Sequence, residues 1–260
     1  MARKLTILSA AFLVLICFFA IFAPFVTWHS YDEQNLEKRL QPPSFQFVMG
    51  TDSLGRDLYS RVVYGARASM AVGIVTALVS LLFGTLYGVL SGYMGGRMDH
   101  WMMRVVDVVY IFPSLLLAIL VMVWIGQGLF GILLALSLVG WVHQARLVRG
   151  QVLQIKTLLH VEAAKALGMG RTRLLLRHVL PLVWSPVVVS LTYQIPQNII
   201  SESFLSFIGL GLQPPLSSWG TLANEGWRGM QSYPHLIIFP GLVLFTTMLA
   251  FQFLGDGLRD

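Results

Sequence analysis

The residues whose types and spacing could act together lie in one segment, VEAAKALGMGRTRLLLRHVLPLVW. Residues 162–167 are strong helix formers, and Gly168 is placed to end that helix in the left-handed conformation. Glu162 offers a carboxylate near the helix start, where the helix dipole favours it. Ala163 and Ala164 are small, so a partner's backbone could approach closely. The pattern therefore predicts a short, rigid helical knob whose small residues leave room for a neighbouring chain.

The same segment carries basic residues that can pair with acidic groups on a partner or with lipid phosphates. They are Lys165, Arg171, Arg173 and Arg177. A second helical stretch is predicted from Arg171 to Val179, and we expect it to stop before Pro181. On charge and helix propensity alone, a basic amphipathic connector at the inner membrane surface is the simpler interpretation of the segment.

Glu202 is an ionisable residue late in an apolar stretch, where its charge is costly unless it faces a cavity or a partner. One interpretation makes it a pore or gate residue, together with Ser203 and Gln197. The other places a carboxylate near the outer interface, helped by the neighbouring Ser201 and Ser203. The sequence leaves both interpretations open.

Patterns for covalent chemistry are absent from the sequence. It contains no G-x-x-x-x-G-K-[ST] phosphate loop, no cluster of metal ligands and no nucleophile triad. Its single cysteine, Cys17, excludes a disulfide framework within the chain. We therefore expect no catalytic residue, no metal site and no cofactor bound by this chain.

Membrane helices are the elements predicted to position these residues. The chain of 260 residues is 56% hydrophobic and 12% charged, about half the charged fraction of a typical soluble domain. Its charge-free stretches exceed the roughly 20 residues that a helix needs to cross a bilayer, and the alternation of a barrel strand is missing. Six spans are predicted, at about 5–27, 68–93, 105–125, 129–149, 183–207 and 235–255.

The basic residues predict the orientation of these spans. With the N-terminus inside, 12 of the 18 Lys and Arg residues fall on the cytoplasmic side, which places both termini in the cytoplasm. The net charge of +6 is therefore explained by topology rather than by nucleic-acid binding. The first span is interpreted as retained, because it is too long for a signal peptide and Pro24 lies where cleavage would occur.

Three further local predictions follow from spacing. Apolar residues at every fourth position predict a short amphipathic helix in the first outer loop, capped by Asp52 or Ser53, although a solvated connector fits the periodicity too. These apolar residues are Leu54, Leu58 and Val62. Asp107 is expected to pair with Arg104 one turn earlier. Glycines at every fourth position in the second span predict close packing of another helix, and they are Gly84, Gly88 and Gly92.

The first segment also resembles a known loop. The pattern E-A-A, three residues, G, nine residues, H-V-L-P runs from Glu162 to Pro181 and is similar to the EAA loop of binding-protein-dependent ABC importer permeases. Further stretches, GTDSLGRDLYSR, GYMGGRMD, ESFLSFIGLGLQPPLSSWG and GDGLRD, extend the resemblance over nearly the whole chain. Together they resemble the C-type permease subunit of dipeptide, oligopeptide and nickel importers, closest to the oligopeptide branch.

The resemblance implies an all-α polytopic membrane protein with six transmembrane helices and a cytoplasmic coupling helix between spans four and five. It implies residues 1–67 as an N-terminal span with an outer loop, and residues 68–260 as a five-span permease domain. The implied partners are a second permease subunit, two ABC ATPase subunits that bind ATP and Mg²⁺, an extracytoplasmic solute-binding protein and membrane lipid, with no nucleic acid.

The implied function is transport across the inner membrane. The chain would form half of the pathway for short peptides, with nickel or another small solute, or an ion-coupled secondary transporter, as alternatives. ATPase docking is expected of Glu162, Ala163, Ala164, Gly168, Arg171, Arg173 and Pro181. A pore or gate role is expected of Gln197, Glu202 and Ser203, and a binding-protein contact of Arg56, Asp57 and Trp219.

Overall fold

A computed structural model describes residues 2–259, and within that range the chain is helical and forms no β-strand. A short 3-10 turn spans Leu36–Lys38 and a π turn spans Leu175–Val179. The helices are α1 (Ala2–Ile21), α2 (Ala23–Val26), α3 (Leu58–Met94), α4 (Gly96–Ile111), α5 (Ser114–Ile125), α6 (Leu129–Ile155), α7 (Leu159–Ala166), α8 (Arg171–Leu174), α9 (Leu180–Phe207), α10 (Trp219–Trp227) and α11 (His235–Arg259).

Six crossings of a membrane fit this set of helices. Five runs of helix are long and apolar enough to span a bilayer, and the bent pair of α4 and α5 makes a sixth if it counts as one span. The helical polytopic fold predicted from the sequence is confirmed. The start of α1 and the end of α11 lie at the same end of the bundle, since a β-carbon at Gly257 would touch the side chain of Thr6.

The predicted third span, 105–125, is not one continuous helix. The axes of α4 and α5 are bent by 86°. Phe112 is extended at the break, with φ −75° and ψ 135°. The cause is Pro113, which has no amide hydrogen and disfavours helical geometry in the residue before it.

Helix α3 begins earlier than predicted. Its N-cap is Asp57, whose carboxylate accepts a hydrogen bond from the amide of Ser60 at 2.9 Å. The separate amphipathic helix capped by Asp52 or Ser53 was therefore wrong, because residues from Leu58 onward already belong to the membrane helix. The predicted boundary between residues 67 and 68 falls inside α3.

Helices α3 and α6 approach closely along a line of glycines. A β-carbon at Gly88 would lie 2.4 Å from the carbonyl oxygen of Ala145, and one at Gly84 would lie 2.6 Å from that of Trp141. Gly92 faces the next turn of α6 in the same way. The close helix packing predicted from the glycine spacing is confirmed, and α6 is the partner.

The sequence predicted that the helical stretch from Arg171 would stop before Pro181, and this prediction was wrong. It passes through the π turn into α9, and the amide of Leu180 donates to the carbonyl of Leu175 across that turn. Pro181, which has no amide hydrogen to donate, follows directly after the π turn as the second residue of α9. One helical run therefore extends from residue 171 to residue 207.

Candidate functional site

The inner loop, which we define as residues 156–182, holds α7 in a fixed geometry. Gly168 has a φ of +83°, which confirms the left-handed conformation predicted for it. The amide of Gly168 donates to the carbonyl of Lys165 at 3.0 Å, and that of Met169 to the carbonyl of Ala164 at 3.1 Å. This is a Schellman cap. Nothing lies within 4 Å of a β-carbon built at Gly168, so the backbone conformation, not space, calls for glycine there.

One face of α7 packs against the bundle and the other is exposed. Val161 and Ala164 are buried in a cluster that includes Leu174. The availability of Ala164 to a partner was therefore wrongly predicted, since the helix turns its methyl group inward. Glu162 and Ala163 are exposed, as docking residues should be.

Two leucines at the ends of α7 are highly exposed, although neither was among the residues predicted for docking. Leu159 is 82% exposed and Leu167 is 89% exposed. Apolar side chains in such positions typify contact surfaces when they are grouped. Sequence reasoning missed them because the phase of a helix of 8 residues is not defined by its own periodicity. The remaining docking residues predicted, Arg171, Arg173 and Pro181, are also exposed.

Polar contacts connect the inner loop to the inner ends of the membrane helices. The hydroxyl of Tyr93 on α3 donates to the carbonyl of Arg171 at 2.9 Å. Lys156, at the start of the loop, donates to the carbonyl of Gly92 on α3 at 3.1 Å. Beside the loop, Arg149 on α6 donates to both carboxylate oxygens of Asp99 on α4, at 2.6 and 2.7 Å. The inner loop is therefore tied to α3 at two points, next to an ion pair that joins α4 and α6.

Asp107 pairs with another helix rather than with its own. Its carboxylate accepts from Arg146 on α6 at 2.6 Å, and the guanidinium of Arg146 lies 3.8 Å from the ring centre of Tyr110. The predicted pair with Arg104 was wrong. The carboxylate of Asp107 reaches α6, whereas Arg104 is exposed and forms no ion pair among the described residues.

At the opposite end, buried charges hold together the outer cap, which we define as residues 28–57 and α10. Arg61 is 1% exposed and donates to Asp52 at 2.6 Å and to Glu225 at 3.0 Å. Arg56 donates to the same carboxylate of Asp52 at 2.7 Å. These ion pairs join the first outer loop, α3 and α10.

The three residues predicted to contact a binding protein are buried in the outer cap. Trp219 has no exposed surface, and its indole N–H donates to the carbonyl of Val62 at 3.1 Å. Arg56 and Asp57 are 4% and 5% exposed. A direct contact needs exposed side chains, so in this geometry these residues hold the cap together and do not form its surface.

Glu202 and Ser203 lie between helices rather than on a cavity wall. Glu202 is fully buried and accepts hydrogen bonds from Ser69 at 3.2 Å and Ser206 at 2.6 Å. The α-carbon of Ser203 lies 2.4 Å from the place of a β-carbon at Gly220 on α10. The geometry gives both residues a packing role, and their role in a pore stays a prediction.

A cavity of about 400 Å³ opens between α5, α6 and α9, next to the bend between α4 and α5. Of the three predicted pore residues, Gln197 alone lines it. The other polar side chains on its wall are Ser114, His143, Tyr193, Gln194, Asn198 and Ser201. Most of these residues were not predicted from the sequence. The signal that could have found them is the recurrence of polar residues at helical spacing within the apolar span of α9.

The described residues thus form a helical polytopic membrane protein with a polar cavity in its bundle and an exposed helical knob at one end, an architecture that suits a membrane transport subunit. Residues 84–260 match the family described as "Binding-protein-dependent transport system inner membrane component". Residues 1–43 match the "N-terminal TM domain of oligopeptide transport permease C". The chain therefore belongs to the family of inner-membrane permease components of binding-protein-dependent ABC importers.

Known relatives cover the whole chain. The oligopeptide transport system permease protein OppC of Bacillus subtilis (strain 168) is 42% identical over 100% of this chain and 85% of that protein. The dipeptide transport system permease protein DppC of the same organism is 44% identical over 99% of this chain and 81% of that protein. OppC of Escherichia coli (strain K12) is 43% identical over 100% of this chain and 87% of that protein.

Solved structures share the fold. A chain of the MetNI methionine ABC transporter in an inward-facing conformation superposes with a TM-score of 0.65, at 19% identity, over 78% of this chain and 96% of that chain. A chain of an amino acid ABC transporter gives a TM-score of 0.60, at 16% identity, over 76% of this chain and 92% of that chain. The family works in transport rather than catalysis, together with a partner permease, ATPases and a binding protein.

Proposed function

We propose that this chain forms half of the translocation pathway of an ATP-driven importer of short peptides, and that α7 docks on an ATPase subunit. The names of the relatives, which are oligopeptide and dipeptide permeases, support the peptide cargo. The observation that carries the docking role is the exposed face of α7. Its leucines, Leu159 and Leu167, stand beside Glu162 on a helix that a Schellman cap and buried contacts hold in place.

The arrangement supplies a mechanical path from α7 to the cavity. The inner loop leads into one helical run from residue 171 to residue 207, and this run carries Gln197 on the cavity wall. This run contains the π turn, Pro186 and Pro196, so a push on α7 would reach the cavity face of α9 through a helix that can bend at these points. ATP binding and hydrolysis on the partner ATPases would supply that push, and the two conformations would expose the pathway to opposite sides.

The remaining assembly follows from the same proposal. A second permease subunit completes the pathway, two ATPase subunits that bind ATP and Mg²⁺ receive the coupling helices, and a binding protein delivers peptide at the outer cap. Both termini lie in the cytoplasm, at the end of the bundle with most of the basic residues. Glu162, Ala163, Gly168, Arg171 and Arg173 would contact the ATPase.

The test uses the complete transporter in proteoliposomes, with Leu167→Asp and Glu162→Lys in this chain. We expect Leu167→Asp to reduce peptide uptake about tenfold or more, because an unpaired charge in a partner's apolar cleft is costly. Stimulation of the ATPase by loaded binding protein should fall with it. Leu167→Met is the matched control, since it keeps an apolar side chain of similar volume and should keep uptake. Unchanged uptake and ATPase stimulation in both charged variants would refute docking through α7.

A further inference from the structure

The polar face of α9 carries groups that the proposed function leaves unexplained. Gln194, Gln197, Asn198 and Ser201 recur at intervals of three and four residues, so they share one face of the helix. All four line the cavity. Polar side chains that face a cavity from a membrane helix are typical of a transport pathway. Here most of them also share one chemical group.

Three of the four residues carry a side-chain carboxamide, which is the chemical group of the peptide bond itself. Each carboxamide offers N–H donors and a carbonyl acceptor, as a peptide group does. The cavity wall holds no Asp, Glu, Lys or Arg. It therefore has hydrogen bonds to offer to any peptide main chain, and His143 is the single basic side chain on its wall.

The structure holds the amide of Gln194 at one end. Its nitrogen donates to the amide oxygen of Gln144 at 2.6 Å. Gln144 is fully buried and accepts a second bond from Ser190 at 2.9 Å. The other end of the Gln194 amide, Oε1, is buried and has no partner among the described residues. A buried amide oxygen without a donor is unfavourable, and a rotation of the Gln194 side chain would bring it to the cavity surface, where a main-chain N–H can pair with it.

The neighbouring amides are also arranged toward the cavity. Asn198 donates from Nδ2 to the carbonyl of Gly73 on α3 at 3.4 Å, which leaves its side-chain oxygen for another donor. Gln197 is exposed on the cavity wall. From Gln194 to Ser201 the helix rises about 10 Å, which is the length of about three extended peptide residues.

We propose that this face of α9 binds the main chain of the passing peptide, with the amides of Gln194, Gln197 and Asn198 as partners for its N–H and C=O groups. The inference rests on the proposed function, because it assumes that the cavity belongs to the pathway for peptides. It explains how one pathway passes peptides of different side chains. The contacts recognise about three consecutive residues by their backbone.

The test compares backbone and side chain separately in the reconstituted transporter. Uptake is measured for tripeptides with neutral, acidic or basic side chains, and for trialanine N-methylated at its internal amides. Affinities for the binding protein, measured by titration, correct each rate for delivery. In the wild type we expect N-methylation to reduce corrected uptake about tenfold, because it removes donors that the face accepts.

Two variants test whether the face of α9 causes the lower uptake of the N-methylated peptide. In Gln194→Met, the ratio of corrected uptake of trialanine to that of its N-methylated form should fall toward one. Uptake of the neutral, acidic and basic tripeptides should fall by the same factor. Gln197→Met should do the same to a smaller degree, and it is exposed, so its folding is not at risk. Gln252→Met, at an exposed glutamine of α11 outside the cavity, is the matched control and should leave the ratio at its wild-type value.

The outcomes separate this inference from the function on which it rests. A wild-type complex that imports no peptide overturns the peptide cargo, and the main-chain contacts with it. An active complex in which both variants keep the wild-type ratio overturns the main-chain contacts alone. The same holds if the variants change uptake of acidic and basic peptides by different factors, since that result would show recognition of side chains.

Discussion

The outer cap and the inner loop both place charged residues at the end of a helical bundle, but they treat those charges differently. In the outer cap, Arg61 and Asp52 are buried and neutralised within the chain. In the inner loop, Glu162 and Arg171 are exposed and form no ion pair with any described residue. The outer cap therefore neutralises these buried charges within the chain, whereas the two inner-loop charges face solvent and are accessible to a partner.

The largest effect that tests this contrast is expected from Arg61→Leu. The change leaves Asp52 and Glu225 with Arg56 as their remaining cation, so we expect a loss toward the lower end of the range of about 3–5 kcal/mol for breaking a buried ion pair. Thermal unfolding of the purified protein in detergent measures it. Arg171→Leu is the matched control on the inner loop and should change stability by about 0.5 kcal/mol or less. Equal losses in the two variants would remove the contrast.

A smaller loss of stability, with a large loss of function, is expected from Gly168→Val. A side chain in the left-handed conformation costs about 1–2 kcal/mol, which shifts or unwinds the end of α7. Uptake and ATPase activity of the assembled transporter should therefore separate, with uptake lost first. Gly168→Asn is the control, because asparagine tolerates this conformation. If both variants transported equally well, the cap would have no part in positioning α7.

The smallest effect is expected from Tyr93→Phe, which removes the one hydroxyl that bonds to the carbonyl of Arg171. An intramolecular hydrogen bond contributes about 0.5–1.5 kcal/mol, so folding should be nearly unchanged. The number of peptides imported per ATP hydrolysed is the sensitive measurement, and we expect it to decrease. Tyr110→Phe, whose ring stacks on Arg146 without using its hydroxyl, should not alter it. An unchanged ratio in Tyr93→Phe would mean that α3 does not brace the inner loop.

Local features of the fold could be predicted from the sequence because local physics determines them. The length of apolar stretches predicted where membrane helices lie. The position of Gly168 after a run of helix formers predicted its left-handed cap, and the spacing of Gly84, Gly88 and Gly92 predicted close packing. Pro113 was an equally local indication of the bend between α4 and α5. It was missed because the span was predicted from the average hydropathy of the stretch, to which a single proline contributes little.

Contacts between distant segments could not be predicted in the same way. Arg61 and Glu225 are separated by 164 positions, and nothing in either neighbourhood indicates the other. Asp107 had a cation one turn away in Arg104, yet the orientation of its helix brings it to Arg146. The cavity depends on how α5, α6 and α9 meet, so the sequence suggested Gln197 without the neighbours that give it a function.

The contact between Thr6 and Gly257 has a consequence for engineering. Because α1 begins and α11 ends at the same end of the bundle, the linker that joins the last helix of this chain to the first helix of a second permease of the same topology can be entirely soluble. No extra crossing has to be added to keep both halves in the same orientation. A single gene encoding both permeases would fix their ratio at one to one, and each half of the pathway could then be altered independently.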